Sequence, residues 1–198
     1  MEKTTLYTAV PINRIFSIER YGLLTNDKVS ELEGAEIFDE FNEELKGRVF
    51  DEPSWGYIYA STDFNNALDW GRTIQLQTEL KPLILEYKID DSLIERDKCS
   101  PNKSILDVRF KANVNADDII VISGTIDSKG NIEDVSRIPL RTLCDQAQIK
   151  CENCKELTRY REMVRFMGDT LICKECADDA KKFAEKIGTE GAKFENVE

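Results

Sequence analysis

The sequence has no histidine among its 198 residues, and it has no long apolar run. Without histidine, the usual general base near neutral pH and the commonest metal ligand are both missing. Any catalysis must therefore rest on carboxylates, hydroxyls, arginine or lysine. No apolar run approaches the roughly 20 residues that cross a bilayer, so we expect no membrane partner. The first residues lack the basic and apolar stretches of a signal peptide, and we therefore expect a cytoplasmic protein.

Clustered positive charge is scarce as well. The net charge is −11, and residues 148–198 carry 10 basic against 11 acidic side chains, so nearly all the acidic excess lies in residues 1–147. Asp and Glu are concentrated in the segment 27–52, which suits a solvated helix face, a lid or a partner surface. Nonspecific nucleic-acid binding needs clustered positive charge, so the charge does not favour a nucleic-acid partner, although a local basic groove stays possible.

The composition, with 41% hydrophobic and 33% charged residues, suits one ordinary domain with an appendage. We predict an α+β domain over residues 1–145, a four-cysteine zinc-binding module over 146–190 and a flexible tail over 191–198, with a linker near 143–150. The periodicity of apolar residues predicts the helices and strands of the large domain. The predicted strands are 4–10, 55–60, 83–89, 105–111 and 119–123, and the predicted helices are 12–21, 30–45 and 64–74.

Four of the six cysteines follow the pattern CxxC, 18 residues, CxxC. They are Cys151, Cys154, Cys173 and Cys176. Two residues between ligands let both thiolates of a pair face one tetrahedral ion, and the long spacer lets the two pairs meet. The pattern predicts one structural zinc ion with no open coordination position, while redox-active pairs and an iron site are the alternatives. Cys99 and Cys144 stand apart and are interpreted as free thiols.

The residues around these cysteines predict a small ββα unit. Met163–Met167 alternates as a strand, Gly168–Asp169 forms a two-residue turn and Thr170–Ile172 returns. After Cys176, a stripe at helical spacing predicts a helix with one apolar face. The stripe consists of Ala177, Ala180, Phe183, Ala184 and Ile187. About 40 residues bury too little surface to hold together alone, so a metal supplies the missing stability.

The segment 149–188 resembles the zinc modules of ClpX-type unfoldases. Those modules share the CxxC, 18-residue, CxxC pattern, the "ICxEC" form of the second pair, seen here as Ile172–Cys176, and a helix directly afterwards. The resemblance implies a treble-clef-like module that contacts protein partners or forms a dimer. Such modules also bind nucleic acid, and Arg159, Arg161 and Arg165 would serve that role.

The large domain resembles ADP-ribosyltransferase-fold proteins, in particular DarT-like and polymorphic-toxin transferases. Four segments carry the resemblance in the family's order: Leu6–Thr8 with Gly22–Leu24, Tyr57–Asp63 with Ala67–Gly71, Leu83–Ile89, and Leu106–Phe110 with Asn115–Ile120. The resemblance covers about residues 4–123. It implies two small antiparallel sheets around a cleft that binds NAD, in a protein from a bacterium or a phage.

The same resemblance implies roles for individual residues. Such enzymes break the nicotinamide–ribose bond and need a carboxylate where positive charge develops on the ribose. The implied catalytic residues are Asp107, Thr8 and Ser61, and the implied NAD contacts are Tyr7, Tyr59, Thr62 and Trp70. The implied activity is NAD-dependent mono-ADP-ribosylation of a cytosolic macromolecule, with the zinc module docking a target or partner.

Two positions depart from the family pattern, because Thr8 replaces a histidine or arginine and Asp107 replaces a longer glutamate. Other interpretations therefore stay open. One is a nonenzymatic, acidic interaction protein that keeps the fold and inhibits a host factor. Another is a nucleic-acid-binding regulator that uses the zinc module. Tyr7, Tyr59, Ser61 and Thr62 are also ordinary residues for a half-buried strand and a helix cap.

Overall fold

The structure is a computed structural model that describes residues 2–25, 28, 56–97, 104–126, 132–166, 170–187 and 192–197. Apart from Lys28, the acidic segment 27–52 and the predicted helix 30–45 lie outside the described residues. Contacts divide the chain into two compact units, Met1–Arg141 and Thr142–Glu198. Among the described residues, no helix combines the length and apolar character needed to span a membrane.

The first unit is built on one antiparallel sheet of seven strands in the order β4-β5-β2-β1-β3-β6-β7. The strands are β1 Lys3–Pro11, β2 Ile58–Ser61, β3 Pro82–Asp90, β4 Glu95–Arg96, β5 Asp107–Phe110, β6 Ile120–Ile126 and β7 Ile132–Pro139. Helix α1 covers Ile15–Tyr21, and helix α2 covers Phe64–Thr78. The unit is therefore mixed α+β with antiparallel pairing, as the sequence predicts.

The resemblance implies two small sheets, but the described strands of this unit form one sheet. β1 pairs with β3 along all nine of its residues, whereas it shares only the pair Tyr7↔Ser61 with the four-residue strand β2. The backbone ladder is thus continuous but reduced to one pair between the half β4-β5-β2 and the half β1-β3-β6-β7.

Helix α2 packs on one face of the sheet. Its Ala67 belongs to a core with Ile84 of β3 and Ile122 of β6, and Phe64 packs against this core. Gly71 allows the close approach, because a Cβ there would lie 3.3 Å from Pro82 and 3.4 Å from Ile84. β3 is buried on both faces, as expected for a near-continuous apolar run in the middle of a sheet.

Helix α1 ends where the sequence predicts, at Gly22. The glycine has φ +80° and donates its N–H to the Ile18 carbonyl at 2.8 Å. A Cβ at Gly22 would lie 2.4 Å from the Val114 carbonyl oxygen, so both backbone conformation and space require glycine. The chain then forms an isolated bridge between Leu23 and Val114.

The described residues of the second unit hold two small sheets, most of a short helix that begins at Leu140, and a longer helix. Strands β8 Gln148–Lys150 and β9 Leu157–Arg159 form a hairpin, and β10 Met163–Phe166 lies between β11 Thr170–Cys173 and β12 Phe194–Asn196. A short helix, α3, covers Leu140–Gln146 where a linker was predicted, and α4 covers Lys174–Ile187. Phe194–Asn196, inside the predicted flexible tail, instead pairs with β10.

The apolar stripe of α4 is narrower than the sequence suggests. Ala177 is buried, and Ala180 and Ala184 are half-buried, but Phe183 is 63% exposed. The residues 177, 180 and 184 keep one helix face, while 183 lies at its edge. The two strands predicted before this helix agree with β10 and β11, and the predicted turn Gly168–Asp169 lies outside the described residues.

Candidate functional site

The four cysteines of the second unit come together as a candidate metal centre. The sulfur atoms of Cys151, Cys154, Cys173 and Cys176 all lie within 4.8 Å of one another. Cys151 and Cys173 are buried, whereas Cys154 is exposed. Four sulfurs at such separations fit one tetrahedral ion with Zn–S bonds of about 2.3 Å. The cysteines are thus positioned to hold a metal ion, consistent with a structural zinc.

The first pair of cysteines lies in the turn between β8 and β9, and the second pair lies where β11 passes into α4. Between β8 and β9, the Cys151 N–H donates to the Glu156 carbonyl at 2.8 Å, and the Lys155 N–H donates to the Cys151 carbonyl at 2.9 Å. Lys155 adopts φ +66°, which closes this tight turn. Cys173 ends β11 and Cys176 lies in the first turn of α4, so strand and helix fix the second pair.

Hydrogen bonds also connect the two pairs. The Cys173 N–H donates to Cys151 Sγ at 3.3 Å, and Asn153 Nδ2 donates to Cys176 Sγ at 3.3 Å. Glu152 pairs with Leu171 through both its backbone N–H, at 3.0 Å, and its carboxylate, at 3.1 Å. N–H···S bonds of this kind satisfy and orient metal-bound thiolates, because a ligating sulfur keeps lone pairs to share.

The pKa values of the thiols indicate that a bound cation is needed for all four cysteines to be deprotonated together. Burial raises the pKa of Cys151, but backbone N–H groups of Cys173, Cys154 and Asn153 outweigh it and lower the pKa to about 6. At Cys173 the Cys176 backbone N–H lowers the pKa, yet burial and hydrogen bonds from the neighbouring thiols raise it to about 12. The cluster therefore stabilises one thiolate readily, and a divalent cation is what would let all four deprotonate.

Two of the three arginines of this unit are engaged in contacts within the protein. Arg165 is buried and donates to the Tyr160 hydroxyl at 3.0 Å, and Arg161 pairs with Asp145 at 2.7 Å. Arg159 remains exposed on β9. Two of the three arginines considered for nucleic-acid contact thus have internal roles.

In the first unit, three predicted site residues form one row across the sheet. Tyr7 of β1 lies opposite Ser61 of β2, and Ser61 lies opposite Asp107 of β5. Opposed residues of neighbouring strands project from the same face, so all three share the face that α2 covers. Glu86 of β3 extends the row, because it lies opposite Tyr7. The row crosses the sheet where its two halves share their single backbone pair.

The Asp107 end of the row is tied to the start of α2. Asn66 Nδ2 donates to the Asp107 carboxylate and, at 3.0 Å, to Ser61 Oγ. Ser61 Oγ also accepts the Asp63 N–H at 3.1 Å. The helix N-cap is Asp63, whose carboxylate accepts the Asn66 N–H at 2.9 Å, and not Ser61 or Thr62. Asp107 is only 4% exposed, so it is a buried and hydrogen-bonded carboxylate.

The Tyr7 end of the row holds an ion pair. Glu86 is buried, and one of its carboxylate oxygens pairs with Arg137 of β7. Its Oε2 is buried with no hydrogen-bond partner in the described part of the chain. Burial, followed by the charge of Glu86, raises the pKa of the Tyr7 phenol. The Tyr7 ring meets Phe64 edge-on, with centroids 5.7 Å apart. Tyr7 is thus a protonated phenol near neutral pH.

Thr8 does not join this row. It follows Tyr7 in the strand and therefore projects from the opposite face. There its hydroxyl donates to the Tyr59 carbonyl at 3.0 Å and contacts the Tyr87 hydroxyl at 2.5 Å. The structure thus separates Thr8 from Ser61 and Asp107, with which the resemblance groups it, because strand alternation turns neighbouring side chains away from each other.

The remaining predicted NAD contacts are Tyr59, Thr62 and Trp70, and of these Tyr59 shares the face of the row. Tyr59 is half-buried two residues before Ser61, so it shares the face of the row. Thr62 is exposed, and its N–H and hydroxyl both donate to the Leu106 carbonyl, at 3.0 and 3.4 Å. Trp70 is half-buried on α2, one helical turn beyond Asn66, which places both on the same side of that helix.

Sequence reasoning missed Asn66, Glu86 and Arg137. One signal was present for Glu86, since a lone carboxylate inside the apolar run of β3 has to be buried beside a partner. Asn66 lies three residues after the N-cap, a spacing that predicts a cap contact but not a bond to a distant strand. No pattern marks Arg137, because its partner becomes visible only with the sheet order.

Neither a protein-family model nor a curated protein matches this sequence. The geometry of the two sites therefore carries the functional proposals.

Proposed function

We propose that the second unit binds one structural zinc ion through Cys151, Cys154, Cys173 and Cys176. The convergence of four sulfurs within 4.8 Å supports this proposal. With all four positions filled by sulfur, the ion has no vacancy for substrate and serves the fold. Metal analysis of chelator-free material should find about one zinc per chain. Cys173→Ser should lose it, whereas Cys144→Ser, at a cysteine outside the cluster, should keep it.

For the whole chain, we propose an NAD-dependent mono-ADP-ribosyltransferase-like protein that acts on a cytosolic macromolecule. The row formed by Tyr7, Ser61 and Asp107 is the observation that carries the proposal. The resemblance to ADP-ribosyltransferase-fold proteins assigns NAD contact or catalysis to each of these three residues, and they lie in register at the junction of two sheet halves. The zinc module docks the target or partner in this proposal.

The row contains the groups that cleavage of the nicotinamide–ribose bond requires. NAD supplies a sugar on which positive charge develops as nicotinamide leaves, and a fixed carboxylate stabilises that charge. Asp107 is such a carboxylate, held by Asn66 against the start of α2. The protonated Tyr7 phenol is a polar group that can hydrogen-bond a nicotinamide or a ribose. The Ser61 hydroxyl is buried, donates to the Leu106 carbonyl at 3.3 Å and accepts from Asn66, so its role is to position Asn66 beside Asp107. Preorganised groups of this kind are worth several kcal/mol in a transition state.

Release of nicotinamide from NAD, together with transfer of labelled ADP-ribose to a cytosolic extract, tests this function. We expect activity in the zinc-loaded full chain. Asp107→Asn keeps the size of the side chain but removes its charge, and it should lower the rate at least about 100-fold. Asp69→Asn, on the exposed side of α2, is the matched control and should leave the rate unchanged.

Absence of nicotinamide release and of label transfer in the wild type would exclude an active transferase. Equal rates in the wild type and in Asp107→Asn would remove Asp107 from the mechanism and leave the rest of the row to explain the activity.

A second candidate function is a nonenzymatic interaction protein that keeps this fold. The burial of Asp107 favours it, since a carboxylate that is 4% exposed and bonded to Asn66 also acts as a purely structural tie. In that case the acidic chain, with its net charge of −11, would bind and inhibit a host factor. Capture of one stoichiometric protein partner without NAD, unchanged in Asp107→Asn, would support this function over the enzymatic one.

A further inference from the structure

A second cluster lies on the same face of the sheet as the row, on β5 and at the residue that follows the end of β5. Arg109 and Lys111 follow Asp107 at intervals of two residues, and each interval spans about 7 Å of strand. The Arg109 guanidinium carbon lies 4.2 Å from the centroid of the Tyr57 ring, and Lys111 Nζ lies 4.5 Å from the same centroid. Two cations therefore share one aromatic ring.

Arg109 is firmly positioned in this cluster. Its Nη2 donates to Glu95 of the neighbouring strand at 3.3 Å, while its Nε is buried with no hydrogen-bond partner within the described ranges. Burial disfavours its charge, but Tyr57, Glu95 and Tyr59 outweigh burial and raise the pKa of Arg109. Arg109 thus stays cationic, in a fixed orientation and with donor capacity that its neighbours leave unused.

Among the residues that the structure describes, the charge of the cluster is incompletely balanced. Two like charges beside one ring repel each other, and the Tyr57 ring offsets this by only about 1 kcal/mol per exposed cation. Glu95 pairs with Arg109, and the next carboxylate along the strand, Asp107, accepts from Asn66. In a chain of net charge −11, these two cations gather on a tyrosine beside one carboxylate, and a bound anion would balance the positive charge that Glu95 leaves.

We propose that Arg109, Lys111 and Tyr57 form a subsite for the diphosphate group of a dinucleotide. The planar guanidinium suits bidentate contact with phosphate oxygens, and the lysine adds a mobile point charge. This proposal rests on the proposed function and completes it, because the residues Tyr7, Ser61 and Asp107 include no cation. The subsite lies next to Asp107 along β5, as diphosphate and ribose are adjacent in NAD.

Calorimetric titration with inorganic pyrophosphate and with ADP-ribose tests the subsite without requiring turnover. We expect the wild type to bind both, more weakly as salt is raised. Lys111→Met and Arg109→Met should each weaken binding at least about tenfold, since each removes a charged contact. Arg96→Met is the matched control, because Arg96 of β4 lies opposite Val108 and so projects from the other face. Lys111 is exposed, so its variant should fold even if Arg109→Met does not.

The outcomes separate the subsite from the transferase proposal. Binding of pyrophosphate and ADP-ribose that depends on Lys111, without cleavage of NAD, would support the subsite and remove the transferase. Cleavage of NAD with a KM that is unchanged in Lys111→Met would support the transferase and remove the subsite. No binding of either probe by the wild type, or equal loss in Arg96→Met, would overturn the subsite.

Discussion

At the residue scale, the half-buried Thr8 connects three strands on the face of the sheet opposite the row. The backbone ladder between β1 and β2 consists of one pair, and Thr8 supplements it by donating to the Tyr59 carbonyl. Burial raises the pKa of the Tyr87 phenol, which therefore stays protonated and able to donate to Thr8 Oγ1. One hydroxyl thus links β1, β2 and β3 directly behind the row.

Thr8→Val should lower the free energy of unfolding by about 1–3 kcal/mol, because it leaves the buried Tyr87 hydroxyl and a carbonyl without a partner. Urea denaturation followed by circular dichroism measures the change. Thr5→Val, on the same strand, is the control and should cost less. A Thr8→Val stability equal to that of the wild type would show that the hydroxyl does not support the junction.

The sequence predicts individual residues well where spacing alone fixes the chemistry. The spacing of the two CxxC pairs predicts that their four sulfurs come together, because each pair needs only a tight turn and the spacer is long enough for the pairs to meet. The alternation of β1 likewise separates Tyr7 from Thr8, but only the register shows which of them lies beside Ser61. The bond from Asn66 to Asp107 joins residues 41 positions apart, and no local pattern encodes it.

At the element scale, the strands that sequence reasoning found are those with their own apolar pattern. β3 is buried on both faces, and its near-continuous run of apolar residues predicts this burial. β7 and β12 were missed because Val135 and most of Phe194–Asn196 are not buried, so hydrogen bonds to β6 and β10 define these strands. Such strands owe their conformation to their neighbours, and propensity does not reveal them.

The second unit should depend on its metal. Structural zinc contributes roughly 10–16 kcal/mol in comparable small modules, more than so small a core can replace. We expect a strong chelator to remove protection from hydrogen exchange in Lys174–Ile187 and Met163–Phe166, while β1 and β3 stay protected. Re-addition of zinc should restore protection. Unchanged exchange in α4 after complete metal removal would show that the cysteines do not hold the unit together.

At the scale of the whole molecule, the chain combines an acidic α+β unit with a small four-cysteine unit. Its net charge of −11 opposes nonspecific attraction to nucleic acid, and the buried Arg165 and the paired Arg161 of the second unit reinforce that tendency. Within the described ranges, Arg109 and Lys111 gather over the Tyr57 ring. In the proposed function, these cations serve a dinucleotide rather than a long polyanion.

Titration of NAD into the zinc-loaded full chain by calorimetry tests the central claim most directly, because it asks whether the row binds the dinucleotide. The account predicts one site per chain, weakened at least about tenfold by Tyr7→Ala and unaffected by Thr5→Val. Absence of binding heat in the wild type over a range of temperatures, or equal affinities in the wild type and Tyr7→Ala, would contradict it.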